Sequence, residues 1–207
     1  MPVHLVSHPL AQDALGSLRD IGTQPGSFRR LAERLSLFLA AEALKDLPTE
    51  DVEVQTPLGA ATVSRVKGDV VVVPVLRAGL GMLDAVLRLI PWARVGHIGL
   101  RRDETTAVAS RYYTRLPKGL ESSYVLLIDP MLATGGSAVD AIQVLEDAGA
   151  RDIRILCIVA APEGIRTVEA AYPRVRIYTP VIDRGLNEQK FIVPGLGDFG
   201  DRLYGTE

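Results

Sequence analysis

One cysteine in 207 residues, Cys157, rules out a disulfide within the chain. It sits inside the apolar run Ile153 to Val159, which makes it a small buried hydrophobe rather than a nucleophile. The three histidines, His4, His8 and His97, show no metal-ligand spacing, and His97, interrupting an apolar run, reads as a core histidine. Neither sign of charge prevails. With 23 Lys and Arg against 25 Asp and Glu the net charge is −2, so there is no general basic field for nucleic acid or a membrane surface, and any anion site must be local. Charges or glycines interrupt every long apolar run, and the N-terminus lacks a charged-then-apolar leader, so a cytoplasmic soluble protein is expected. No repeat or low-complexity segment appears. What is present in quantity is hydrophobic residue, 47% of the chain, enough at this length for one well-cored domain over 1–207.

The chain is organised around Tyr124 to Gly149. Tyr124 to Ile128 is apolar without alternation, as in a parallel strand covered on both faces. From Ser137 the spacing turns helical, with Ala138, Ala141, Ile142, Leu145 and Ala148 on one face and Gly149 at the left-handed cap position. Between them lies a loop, Asp129 to Gly136. Its adjacent glycines, Gly135 and Gly136, let the backbone approach an anion, Thr134 and Ser137 carry hydroxyls, and the first helical turn adds unpaired N–H groups. Phosphate is the guest that fits. No lysine follows the glycines, which excludes a P-loop, and the spacing misses the dinucleotide fingerprint. Asp129, at the carboxyl end of the strand, can accept from two neighbouring sugar hydroxyls, so phosphate and ribose would sit side by side.

A second strand, Val70 to Val75, ends in Leu76-Arg77-Ala78-Gly79 before a helix from about Leu80 to Ile90. Arg77 offers a planar fork suited to phosphate oxygens. A third strand, Val95 to Leu100, runs into Arg101-Arg102-Asp103-Glu104. After the central motif come a strand at Ile153 to Val159, a helix started by Pro162 and a strand at Val175 to Tyr178, so a right-handed α/β arrangement with a parallel sheet is expected. Upstream, His8-Pro9 and Pro25-Gly26-Ser27 each introduce a helix, the second with Ser27 as a plausible N-cap. Val52 to Val66 reads as a hairpin around Leu58-Gly59. The cluster Arg29, Arg30 and Arg34 reads as a solvated helix face.

IDPMLATGGSA, VVVPVLRAGLGM, GLRRDETT, IVAAPEG and the tail GLNEQKFIVPGLGDFGDRLYGT resemble, in order, the motifs of the type I phosphoribosyltransferases in the form of the uracil phosphoribosyltransferase family. Pro130 stands where the general signature has a second acid, as in the uracil-specific form. The resemblance implies a type I phosphoribosyltransferase-like parallel sheet flanked by helices (core about 70–180), a flexible hairpin (about 103–123) and a C-terminal hood (about 181–207). It implies transfer of 5-phosphoribose from 5-phosphoribosyl diphosphate (PRPP) to uracil N1, giving UMP and pyrophosphate. PRPP binding falls by resemblance to Arg77, Arg102, Asp198 and the run Asp129, Pro130, Met131, Leu132, Ala133, Thr134, Gly135, Gly136, Ser137. Uracil falls to Ile192, Gly197, Asp198 and Phe199, mostly through the main chain.

The catalytic roles go to Asp198, Arg77 and Arg102, and the proton on uracil N1 leaves to Asp198, to water or to the leaving group. The likeness further implies a cis peptide in the Arg77 loop, Mg2+ held mainly through PRPP rather than by protein ligands, GTP as an allosteric activator, and a homodimer or higher homo-oligomer. Phe199 departs from the small residue expected there, which puts the shape of the neighbouring pocket in doubt. Uracil presents acceptor, donor, acceptor along O2, N3–H and O4, which backbone groups of an extended segment can match, whereas cytosine reverses two of these. Two rivals share the fold: an RNA-binding regulator, which needs a basic face, and a purine or orotate transferase, which would lack the hood motif.

Overall fold

The structure, a computed structural model, describes residues 3–102 and 109–206, with backbone only at 101, 102, 109 and 110. A short edge strand β1 (Val3–Leu5) precedes α1 (Pro9–Arg19) and α2 (Pro25–Ala43). Pro25 occupies the first turn of α2, where its missing N–H costs nothing, so the helix starts two residues before Ser27 and Gln24 takes the cap position. Next come the hairpin β2 (Thr49–Thr56) and β3 (Gly59–Val66), then β4 (Asp69–Leu76), α3 (Leu80–Leu89) and β5 (Arg94–Val95). β6 (His97–Arg102) and β7 (Ala109–Arg115) pair antiparallel, followed by β8 (Ser123–Ile128), β9 (Met131–Leu132) and α4 (Gly136–Asp147). The chain closes with β10 (Asp152–Leu156), β11 (Val159–Ala160), α5 (Pro162–Ala171), β12 (Arg176–Thr179), β13 (Gly185–Leu186), β14 (Ile192–Val193) and α6 (Phe199–Tyr204).

The main sheet has the order β1-β12-β10-β8-β4-β6-β7, with β5 also on β4, and is parallel except at β6–β7. Val70 to Leu76 of β4 and Tyr124 to Ile128 of β8 are apolar without alternation because both faces of these strands are covered. Val70 and Val72 of β4, with Leu126 and Ile128 of β8, face α1, α2 and α3; Val71, Val73, Val125 and Leu127 face α4 and α5. Expected Ile153 to Val159 is divided: β10 stops at Leu156 and the chain bends before β11, which pairs with β9 beside the loop. The last main strand starts one residue later than the spacing predicts. His97 is half-buried rather than a core residue. The hairpin expected at about 103–123 is represented by β7, while residues 103–108 lie outside the described residues. No helix among the described residues is long and apolar enough to cross a membrane.

The tail from Asp183 is ordered by its anchors. Ile192, Leu196, Phe199 and Leu203 are buried in the same core as α2 and α3. Arg202 donates to the carbonyls of Leu196 (2.8 Å) and Asp20 (2.5 Å) and lies over the Phe28 ring, while Arg29 donates to Leu203 O at 2.7 Å. The glycines of this stretch therefore sit between fixed points, and it forms a hood over the sheet edge.

Candidate active site

The carboxyl ends of β4 and β8 open onto a cleft of about 600 Å³ walled by Arg77, Ala78, Tyr112, Asp129, Ser137 and Asp198. Two smaller cavities share its wall. One, about 180 Å³, is enclosed by the loop from Met131 to Ser137 and includes Leu132, Ala133, Thr134, Gly135 and Gly136. The other, about 210 Å³, lies under the hood, bordered by Met131, Ala133, Ile192, Gly197, Asp198 and Phe199. Asp129 and Ser137 face both the cleft and the loop cavity; Asp198 faces both the cleft and the hood cavity. The three turns thus meet at one rim.

Local sequence explains each wall. The loop cavity is built on β9, whose two residues pair with β11, so the expected loop is partly strand. Pro130 lines none of the three cavities; its carbonyl accepts from Ile158 N (2.9 Å) and Val159 N (3.0 Å), stitching the loop to its neighbour. Gly135 has φ +86, and a Cβ there would stand 2.7 Å from Gly164 O. Only glycine fits both demands. Helix α4 then begins at Gly136, leaving the N–H groups of Gly136, Ser137 and Ala138 without intrahelical acceptors and directing the positive end of its dipole at the cavity. An anion is the chemical complement of that end.

Arg77 projects from the turn after β4, and the Leu76–Arg77 peptide is cis, as the resemblance implies. Gly79 lets this turn press on β8: a Cβ there would meet Ile128 O at 2.5 Å. The Arg77 guanidinium takes part in no ion pair among the described residues. Arg102 ends β6, but its side chain lies outside the described residues. Asp129 N donates to Leu156 O at 3.1 Å, and its carboxyl accepts from Met131 N at 3.4 Å. Burial pushes that carboxyl up to about 6, against the smaller opposing pull of the Met131 N–H.

Asp198 caps α6, with Oδ1 accepting from Asp201 N at 2.9 Å. Phe199 is 2% exposed and its ring packs edge-on against Phe28 at 5.1 Å. The ring packs into the core beside α2 and α3, and the same residue borders the hood cavity. Cys157 is buried and its thiol is pushed up to about 12 by burial, which keeps it protonated and inert. Among the described residues no cluster of three or more His, Cys, Asp or Glu could hold a metal. The cleft offers two carboxylates, Asp129 and Asp198, a set suited to a cation that arrives with its own phosphate oxygens rather than to a resident one.

Sequence reading gave no role to Gly164, although its motif IVAAPEG was visible. A Cβ at Gly164 would lie 2.6 Å from Ala133 O, so this glycine lets α5 sit against the back of the loop. It also missed Asp183, for which no local signal exists: its partner Arg19 is 164 residues away.

Residues 5–206 match the family model described as uracil phosphoribosyltransferase. The chain is 50% identical over 206 residues to a uracil phosphoribosyltransferase of Dictyoglomus thermophilum, covering 99% of this chain and 100% of the relative. Among solved structures, the AQ2163 protein from Aquifex aeolicus superposes with a TM-score of 0.94 at 36% identity, over 99% of both chains. An adenine phosphoribosyl transferase from Trypanosoma brucei shares the fold at a TM-score of 0.56 and 14% identity, over 92% of this chain and 84% of that one.

Proposed function

The chain belongs to the uracil phosphoribosyltransferase family, and from that membership we propose that it transfers 5-phosphoribose from PRPP to uracil N1, giving UMP and pyrophosphate. The observation that carries this reading is the shared rim: a cleft faced by Arg77, Asp129 and Asp198 joins a glycine-built cavity on one side and a cavity under the hood on the other. Those three chambers have the order of a 5-phosphate, a ribose carrying diphosphate, and a planar base. Formation of UMP from labelled uracil, complete with PRPP and absent without it, tests the function. A purine or orotate in place of uracil is expected to give no pyrophosphate.

In this reading the loop from Thr134 to Ser137 holds the 5-phosphate through its N–H groups and hydroxyls. Asp129 accepts from the ribose hydroxyls and fixes the ring. As the C1–O bond to pyrophosphate lengthens, positive charge builds on the ribose and negative charge on the departing oxygens, where Arg77 and Arg102 neutralise it. Main-chain groups around Ile192, Gly197 and Phe199 present uracil N1 to C1, and much of the acceleration is this positioning. Asp198 has one carboxylate oxygen committed to α6 and lies between base and sugar chambers, so it stands beside both the N1 proton and the reacting carbon.

Mg2+, when bound with the diphosphate, would add further charge neutralisation at the leaving group, with Asp129 and Asp198 as the nearby carboxylates. Loss of turnover in excess chelator, restored by Mg2+, is the expected result. Residues 1–207 act as one catalytic unit in the cytoplasm. A homodimer or higher homo-oligomer is part of the same reading, supported by the hairpin β2–β3. It pairs chiefly with itself, presents Val52, Val54, Ala61 and Val63 on one half-buried face, and has Leu58 100% exposed. Light scattering tests this. Activation by GTP rests on family likeness alone; a rise in rate on adding GTP at subsaturating PRPP is its test.

A further inference from the structure

We propose that Arg19 and Asp183 are positioning residues for base recognition, acting through the backbone of Gly195; this rests on the reading of the hood cavity as the uracil site. Asp183 is 7% exposed and pairs with Arg19 through both oxygens, at 2.6 and 2.9 Å. The same pair holds both backbone groups of Gly195: Asp183 Oδ2 accepts from Gly195 N at 2.9 Å, and Arg19 Nη1 donates to Gly195 O at 2.8 Å. Asp183 N in turn donates to Ala160 O at 2.8 Å, which ties it to β11 and so to the strand pair that supports the phosphate loop.

Gly195 lies between Ile192 and Gly197, both of which border the hood cavity. Its φ is +58, and a Cβ would fall 2.1 Å from Ile192 O, so the chain folds back sharply at this point. A base read through main-chain groups depends on where that turn sits, because backbone donors cannot swing to compensate as side chains do. Neither Arg19 nor Asp183 lines any of the three cavities. An ion pair outside the pocket therefore sets the position of groups inside it. The pair is directional and its acid is buried: charge-assisted hydrogen bonds to both the donor and the acceptor of one peptide residue restrain its rotation as well as its distance.

Steady-state kinetics on the full chain decide the matter. Asp183→Asn removes the charge with little change of shape and is expected to raise KM for uracil by about tenfold while KM for PRPP changes by less than about twofold. Arg19→Lys keeps the charge but loses the planar fork, and a smaller rise in the uracil KM, about threefold, is expected. In the double variant the two effects should add to less than their product, since both act on Gly195. Equal rises in both KM values, an unchanged uracil KM in a folded Asp183→Asn enzyme, or loss of the folded state in both single variants would mark the pair as a general staple and overturn the proposal. If the unaltered protein releases no pyrophosphate with uracil, the functional reading itself falls and the proposal with it. Normal turnover by the unaltered enzyme with indifferent variants sinks the clamp alone.

Discussion

The two ends of the same strands treat charge in opposite ways. At the amino end, Arg154 of β10 is 1% exposed yet fully answered: it donates to Asp152, to Asp46 and to Ala43 O at the end of α2, and Arg176 of β12 joins the same acids. Arg94 is likewise held by Asp69, with Ser123 completing the set. At the carboxyl end, among the described residues, Arg77 is exposed without an ion pair and the Asp129 carboxyl accepts only a long backbone contact. The carboxyl groups respond accordingly. Burial would raise Asp152, but the guanidiniums of Arg154 and Arg176 hold it below its ordinary value, whereas Asp129, with no cation beside it among the described residues, is pushed up to about 6 by burial. Charge at one rim is consumed by the fold; at the other, Arg77 and the Asp129 carboxyl have no ionic partner among the described residues.

The largest effect that would break this contrast is at the structural rim. Asp152→Ala leaves the Arg154 guanidinium buried with half its acceptors gone, and a loss of about 3 kcal/mol in denaturant unfolding is expected, with KM values unchanged. A stable variant with altered kinetics would reverse the assignment. At the opposite rim, Arg77→Ala is expected to lower kcat/KM for PRPP by about a hundredfold, roughly 2.7 kcal/mol, with the melting temperature unmoved and KM for uracil less affected than that for PRPP. An unchanged donor KM would remove the role given to this residue. Gly135→Ala should resemble it in kinetics, because the added Cβ at φ +86 pushes the loop off Gly164 and Thr167. Asp198→Asn comes next. Asparagine caps a helix as well as aspartate does, so α6 should persist while kcat falls by about thirtyfold; near-normal turnover would rule Asp198 out as the proton acceptor.

The contrast also explains what could be read from sequence. Tyr124 to Ile128 and Val70 to Val75 announce strands covered on both faces because no polar residue interrupts them, and Asp129 to Ser137 announces an anion loop because its glycines and hydroxyls are contiguous. A site made of local motifs is legible one motif at a time. The paired rim is not: Asp46, Asp152 and Arg176 are ordinary charges until the strands are placed side by side, and Arg154 looks exposed in any single-strand pattern. β1 is too short to carry a period. β9 and β11, two residues each, exist only because the chain after Asp129 and the chain after Leu156 bend together. The place of Phe199 is tertiary as well, since nothing near it in sequence foretells Phe28 against its ring.

Protonation gives the smallest and most specific test of the difference between the rims. A carboxyl raised from 3.8 to about 6 binds its proton more tightly in the folded chain. Its contribution to stability is therefore complete below the ordinary value and lost as pH rises through about 6. Ligand binding has the opposite sign, because only the ionised form accepts from both ribose hydroxyls. In kcat/KM for PRPP, which reports the free enzyme, Asp129 should give an acid limb: half the plateau at its own pKa and about a tenfold loss one unit lower. PRPP has titrating oxygens of its own in this range, so the decisive comparison is with Asp129→Asn, which should lie lower at neutral pH but lose the part of the limb that belongs to the protein. Asp152 cannot mimic this, since its contribution to stability is lost as pH falls below the ordinary carboxylate range. Identical limbs in the two enzymes would place the titration on the substrate and leave Asp129 as an ordinary polar residue at a strand end.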